Sequence, residues 1–115
     1  MSESAPLDPE DKKIITLARS ARARGGAAEG AAVRDETGRT YVAGPVALPS
    51  LTLTALQTAV AMAVASGAKS LEAAAIVTEA TAPADEDRAV VADLGGAPIH
   101  LAAPDGTLRS TLTQD

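Results

Sequence analysis

The chain has 115 residues, enough for one domain with a modest hydrophobic core. A net charge of −5 and a pI near 4.7 disfavour nucleic-acid binding by charge alone, and the absence of cysteine excludes disulfides, a thiolate nucleophile and a thiolate metal site. Apolar residues make up 46% of the sequence, yet 27 residues are Ala, with no Phe or Trp and one Tyr, so close backbone approach or subunit contacts must supply what small side chains do not.

Residues 1–7 read as a frayed tail ahead of a single domain over residues 8–115. The start lacks a basic-then-apolar signal, and residues 51–65, the most apolar stretch, are too short and too interrupted by Thr and Gln to span a bilayer. A cytoplasmic protein without membrane contact is expected. Asp8-Pro9-Glu10-Asp11 is a helix start: Asp caps the first amides, Pro is pre-set for the first helical position, and acids suit the first turn. Ile14, Leu17, Ala18 and Ala21 then share a face, and Gly25-Gly26 stops the helix. Arg19, Arg22 and Arg24, with Glu10 and Asp11 before them, read as a solvated face of mixed charge. Residues 27–34 form a small-residue strand, residues 35–38 a hairpin connection and residues 39–44 the returning strand. Pro45 and Pro49 make the next stretch a rigid loop.

Thr52 or Thr54 can cap a helix running to about Ser66, ended by Gly67. Only Gln57 and Thr58 interrupt its apolar run, which predicts burial on every side. One sheet cannot cover such a helix in so small a chain, so a second subunit is expected against it. Residues 71–78 suit a strand buried on both faces. A third helix over about residues 86–94 follows Pro83 and Asp85, with Val90, Val91 and Leu94 inward and Gly95-Gly96 at its end. Residues 98–102 form a further strand, Pro104-Asp105-Gly106 a turn, and residues 108–112 a last strand or short helix. A hairpin followed by strands alternating with helices predicts a mixed sheet with helices on both faces.

Gly30-Ala31-Ala32-Val33-Arg34, with residues 35–44 behind it, resembles the Ala-rich strand and Gly-containing hairpin of the cytidine deaminase family. Thr58-Ala59 followed by Ala63-Val64-Ala65-Ser66-Gly67 is similar to that family's central helix, and residues 71–77 to the strand after it. The order and spacing of these pieces over residues 10–102 carry the resemblance; no single piece is specific. It implies a three-layer α/β/α cytidine deaminase-like fold with a mixed sheet of about five strands. It also implies a homo-oligomer, dimer or tetramer, joined through the central helices, with Ala55, Ala59, Met62 and Ala63 as expected contact positions.

The family's chemistry requires residues that this chain replaces. Its central helix opens on a Cys or His zinc ligand, then Ala, then a proton-carrying Glu, then Arg. Counting back from Gly67 puts Thr54, Ala55, Leu56 and Gln57 on those four positions. The second motif, Pro-Cys-x-x-Cys, falls on Pro83-Ala84-Asp85-Glu86-Asp87, so Ala84 and Asp87 stand for both cysteines. The Asn-x-Glu pair that grips the ribose is missing between Gly44 and Thr54. Hydrolytic deamination needs a zinc-activated hydroxide and a carboxyl that carries protons to the leaving amine. Thr54, Ala84 and Asp87 do not make a zinc site, and Leu56 carries no proton. No cofactor, metal or catalytic residue is therefore expected.

Other groups offer no replacement chemistry. His100, the single histidine, alternates away from Ile99 and Leu101 and is expected at the surface or satisfied by a partner. Asp85-Glu86-Asp87 suits the positive end of the third helix better than a cation site. The leading functional expectation is a non-catalytic oligomeric binding or scaffold protein, with a partner in RNA metabolism as one option that no residue specifies. The alternative is a nucleoside-binding regulator that uses the emptied pocket, with Thr54 and Gln57 as polar anchors. A third, an active deaminase with a rearranged site, is opposed by the missing motifs.

Overall fold

Asp8 turns its carboxylate back onto the Glu10 amide, 2.8 Å away, and so starts helix α1 (Pro9–Gly25) in the computed structural model, which describes residues 7–113. Gly26 ends the helix at φ +60°, a left-handed geometry that glycine adopts without strain. Strands β1 (Glu29–Asp35) and β2 (Thr40–Ala43) form a hairpin, and the short strands β3 (Val46–Leu48) and β4 (Leu51–Leu53) form another. Helix α2 (Ala55–Ala65), strand β5 (Leu71–Thr78), helix α3 (Asp85–Ala92) and strands β6 (Ile99–Ala102) and β7 (Leu108–Leu112) complete the chain. One sheet of five strands runs β2-β1-β5-β6-β7, with β5 and β6 parallel and the other neighbours antiparallel.

Side-chain alternation divides the core between two faces. Ala31, Val33, Ala74, Ile76, Ile99 and Leu101 join Leu56, Ala59, Val60 and Val91 of α2 and α3 on one side. On the other, Ala32, Ala73, Ala75, Val77 and Ala102 meet Ile14, Ile15 and Ala18 of α1. The expected three-layer α/β/α architecture with a mixed five-stranded sheet is the one that forms. Small residues allow the layers to close up. A Cβ added at Gly30 would fall 2.2 Å from the Ala18 carbonyl oxygen and 2.6 Å from the Arg22 nitrogen, so β1 lies directly against the α1 backbone.

Two expectations need correction. The stretch after Gly44 is not a plain loop: Pro49-Ser50 is a two-residue turn, with Leu48 opposite Leu51 and Val46 opposite Leu53. Within the single chain the sheet covers one face of helix α2, in line with the expectation that one sheet cannot cover it all. Ala55, Leu56, Ala59, Val60 and Ala63 face the sheet, whereas Ala61, Met62, Val64 and Ala65 are exposed. Ile15, not only Ile14, lies in the α1 core, and Leu17 is half-buried at its margin. Most of the expected tail lies outside the described residues, but Leu7 is half-buried and packs on the α1 side of the core. Among the described residues no helix is long and apolar enough to cross a membrane.

Candidate functional site

The first turns of α2 and α3 are tied together by one hydroxyl. Thr54, the N-cap of α2, accepts the Gln57 amide on Oγ1 at 3.0 Å and donates the same hydroxyl to Asp87 Oδ1 at 2.5 Å. Gln57 Oε1 accepts the Thr54 amide at 3.0 Å, closing a reciprocal capping box. A carboxylate oxygen of Glu29, the first residue of β1, accepts the Ala55 amide at 3.0 Å and so occupies the positive end of α2. The site is therefore built from β1 and the starts of two helices.

Asp87 is 2% exposed. Burial pushes its carboxyl above the usual aspartate range; the Thr54 hydrogen bond opposes that shift, and the negative charges of Glu29 and Glu86 add to it. Leu56 is wholly buried in the core beside the sheet. Ala84 is exposed and begins α3 with no side-chain cap, using its carbonyl to accept the Asp87 and Arg88 amides. Of the five positions singled out from sequence, the structure joins Thr54 to Gln57 and to Asp87, places Leu56 in the core and leaves Ala84 at the surface. The contact positions Ala55, Ala59 and Ala63 are fully buried within the chain, so they are not free to meet a neighbour; Met62 is 42% exposed.

The loop between β5 and α3 is held from the far edge of the sheet. Arg109 Nη1 on β7 donates to the carbonyls of Glu79 and Ala80, each at 3.0 Å. A separate polar cluster lies on the α1 face, where His100 Nε2 meets Asp11 Oδ2 at 3.1 Å and Nδ1 meets Thr111 Oγ1 at 2.9 Å. Asp11 also faces Arg34 at 2.9 Å, and Arg34 reaches Glu72 at 2.8 Å. Burial lowers the affinity of the Arg34 guanidinium for its proton, but these two carboxylates outweigh it and raise the pKa. His100 is thus satisfied by partners and points away from Ile99 and Leu101, as alternation requires.

Residues 7–106 match the family described as cytidine deaminase-like. The chain belongs to that family. Its fold is similar to cytidine deaminase from Burkholderia pseudomallei, with a TM-score of 0.75 and 25% identity over 88% of this chain and 90% of that one. It is also similar to the enzyme from Mycobacterium tuberculosis (TM-score 0.67, 26% identity, 89% of this chain and 90% of that one). For cytidine deaminase from Mycobacterium leprae the likeness, at 21% identity over 92% of this chain and 94% of that one with a TM-score of 0.71, is one of fold. No curated protein sequence matches the chain significantly.

Within this cytidine deaminase-like chain, the Thr54–Asp87 hydrogen bond joins two positions at which the family's resemblance places zinc ligands. Zinc does not fit the donors present. They are a hydroxyl already used twice, the methyl of Ala84, and one carboxyl whose proton affinity burial has raised. Among the described residues no three His, Cys, Asp or Glu side chains converge as a metal site. Sequence reasoning missed Glu29, because nothing in a strand's first residue signals that it will cap a helix 26 positions later. The Thr-x-x-Gln spacing of the capping box was the one legible signal for the Thr54–Gln57 pair.

Proposed function

We propose that this cytidine deaminase-like chain is non-catalytic and acts as a homo-oligomeric binding or scaffold protein. The observation that supports this reading is the direct Thr54–Asp87 hydrogen bond at the start of α2, together with a fully buried Leu56 at the position where the resemblance puts the family's proton-transferring Glu. A group that cannot ionise does no acid–base work. The same geometry narrows the nucleoside-binding alternative, since the Thr54 hydroxyl and the Gln57 side-chain oxygen are committed to each other's helix start and to Asp87, which leaves the Gln57 side-chain NH2 as the donor this pair could still offer a ligand. For assembly, the outer face of α2 (Met62 42% and Val64 49% exposed) and the β3–β4 hairpin (Leu48 57%, Leu51 48%) supply apolar surface.

The test is an assay of the purified chain for conversion of cytidine to uridine, with and without a chelator. No conversion above background is expected; chelator-sensitive turnover would overturn the proposal. A Thr54→Cys/Ala84→Cys/Asp87→Cys variant tests the assignment of positions by elemental analysis. It is expected to retain zinc that the parent chain does not, and a folded variant that binds none would show that these three residues do not converge on the family's metal position.

A further inference from the structure

On the α1 side of the sheet, away from the Thr54–Asp87 pair, a cavity of about 390 Å3 opens between α1 and the β6–β7 turn. Its volume lies within the range of small-molecule sites, about 300–1,000 Å3. One stripe of α1, Lys12, Ile15, Thr16 and Arg19, forms one wall, and Gly106 and Leu108 form the other. We propose that this cavity binds a small molecule with an apolar body and an anionic head, a carboxylate or a phosphate monoester.

The lining divides into the two parts such a ligand requires. Ile15, Leu108 and Leu7 provide apolar surface, and Ile15 is 5% exposed, so it forms the floor rather than the rim. Lys12 and Arg19 are seven residues apart on the same helix face, which sets their backbones about 10 Å apart along the axis with Ile15 between them. Two cations therefore bracket an apolar floor in a chain whose net charge is −5. The one acid in the lining, Asp105, accepts the Thr107 amide on Oδ1 at 2.8 Å, and that bond together with the Arg19 charge holds its carboxyl below the usual aspartate range; Asp105 therefore offsets part of the Arg19 charge, and the two cations still outnumber the acid. The Thr16 hydroxyl likewise donates to the Lys12 carbonyl at 3.1 Å.

The turn also shapes the cationic end. Gly106 has φ +91°, and a Cβ there would lie 3.5 Å from Arg19 Cδ. The Arg19 side chain thus lies beside the bare glycine backbone, where the missing side chain leaves it room at the mouth of the cavity. Lys12 offers a point charge and Arg19 a planar fork, so a carboxylate or phosphate head at the Arg19 end gains direction as well as attraction.

The experiment is a titration of the isotope-labelled full chain with octanoate, octyl phosphate and octylamine, followed through backbone amide shifts. Saturable shifts with an octyl anion at Lys12, Ile15, Thr16, Arg19, Gly106 and Leu108 are expected, with little effect from octylamine. A preference between the two anions separates a carboxylate from a phosphate ligand. Because Lys12 and Arg19 are exposed, the Lys12→Gln/Arg19→Gln double variant should fold normally and bind the anion at least about tenfold more weakly. Three results would overturn the proposal: no saturable shifts with either anion, equal binding of octanoate and octylamine, or binding that appears only after residues 1–6 are removed. The last would make that segment the cavity's occupant.

Discussion

At the level of single residues, the Thr54 hydroxyl does two things at once. It caps α2 by accepting the Gln57 amide, and it donates its hydrogen bond to the buried acceptor Asp87. Thr54→Val keeps the shape but loses the cap and leaves the Asp87 carboxyl unpaired, so a loss of about 2–4 kcal/mol is expected in urea unfolding. Asp87→Asn keeps an acceptor for the hydroxyl and removes the ionisation. Burial raises the Asp87 pKa, so the folded chain holds this proton to higher pH than the unfolded chain does. Ionisation of Asp87 therefore costs the folded state nothing below the ordinary aspartate range, and its full cost is reached once pH passes the raised value. The stability difference between Asp87→Asn and the parent should rise with pH across that window and then level off. A flat difference would place the Asp87 carboxyl in an ordinary, water-like environment.

At the level of elements, the close approach of α1 to β1 makes Gly30 the most sensitive backbone position. Gly30→Ala would drive a methyl into the Ala18 carbonyl and the Arg22 amide, neither of which can swing aside as a side-chain tip can. A destabilisation of about 3 kcal/mol is expected by thermal or urea unfolding. On the outer face of α2, Met62→Glu should leave the fold intact and, if subunits meet there, lower the mass measured by light scattering after size exclusion; a monomeric parent chain would remove the oligomer from the proposal. The start and end of α1 and the span of β5 were legible because caps, glycines and a continuous apolar run mark them locally, whereas residues 108–112, exposed and mixed in polarity, read equally as strand or short helix before the sheet edge fixed them as a strand. The buried face of α2 was not. Ala55, Ala59 and Ala63 point inward and Ala61 and Ala65 outward, and equal side chains give no periodic contrast. The β3–β4 hairpin was hidden for a different reason: three-residue strands beside Pro45 and Pro49 are too short for alternation to show.

For the molecule as a whole, the candidate site depends on pairings that are distant in sequence. Thr54 and Asp87 are 33 residues apart, and Glu29 lies 26 before the amide it caps. Family resemblance located the helix starts, but only the packed sheet brings the three groups together. The β7 residue Arg109 extends this across the sheet edge by holding the Glu79 and Ala80 carbonyls, so Arg109→Ala should speed amide exchange in residues 79–84 more than in β5 itself.

The tie between the two helix starts has a consequence for the cell's economy of metals. A cross-link made of a threonine and an aspartate arrives with every newly made polypeptide and needs no ion to be delivered. Melting curves recorded with and without EDTA should superimpose, and zinc starvation should leave the amount of folded protein unchanged.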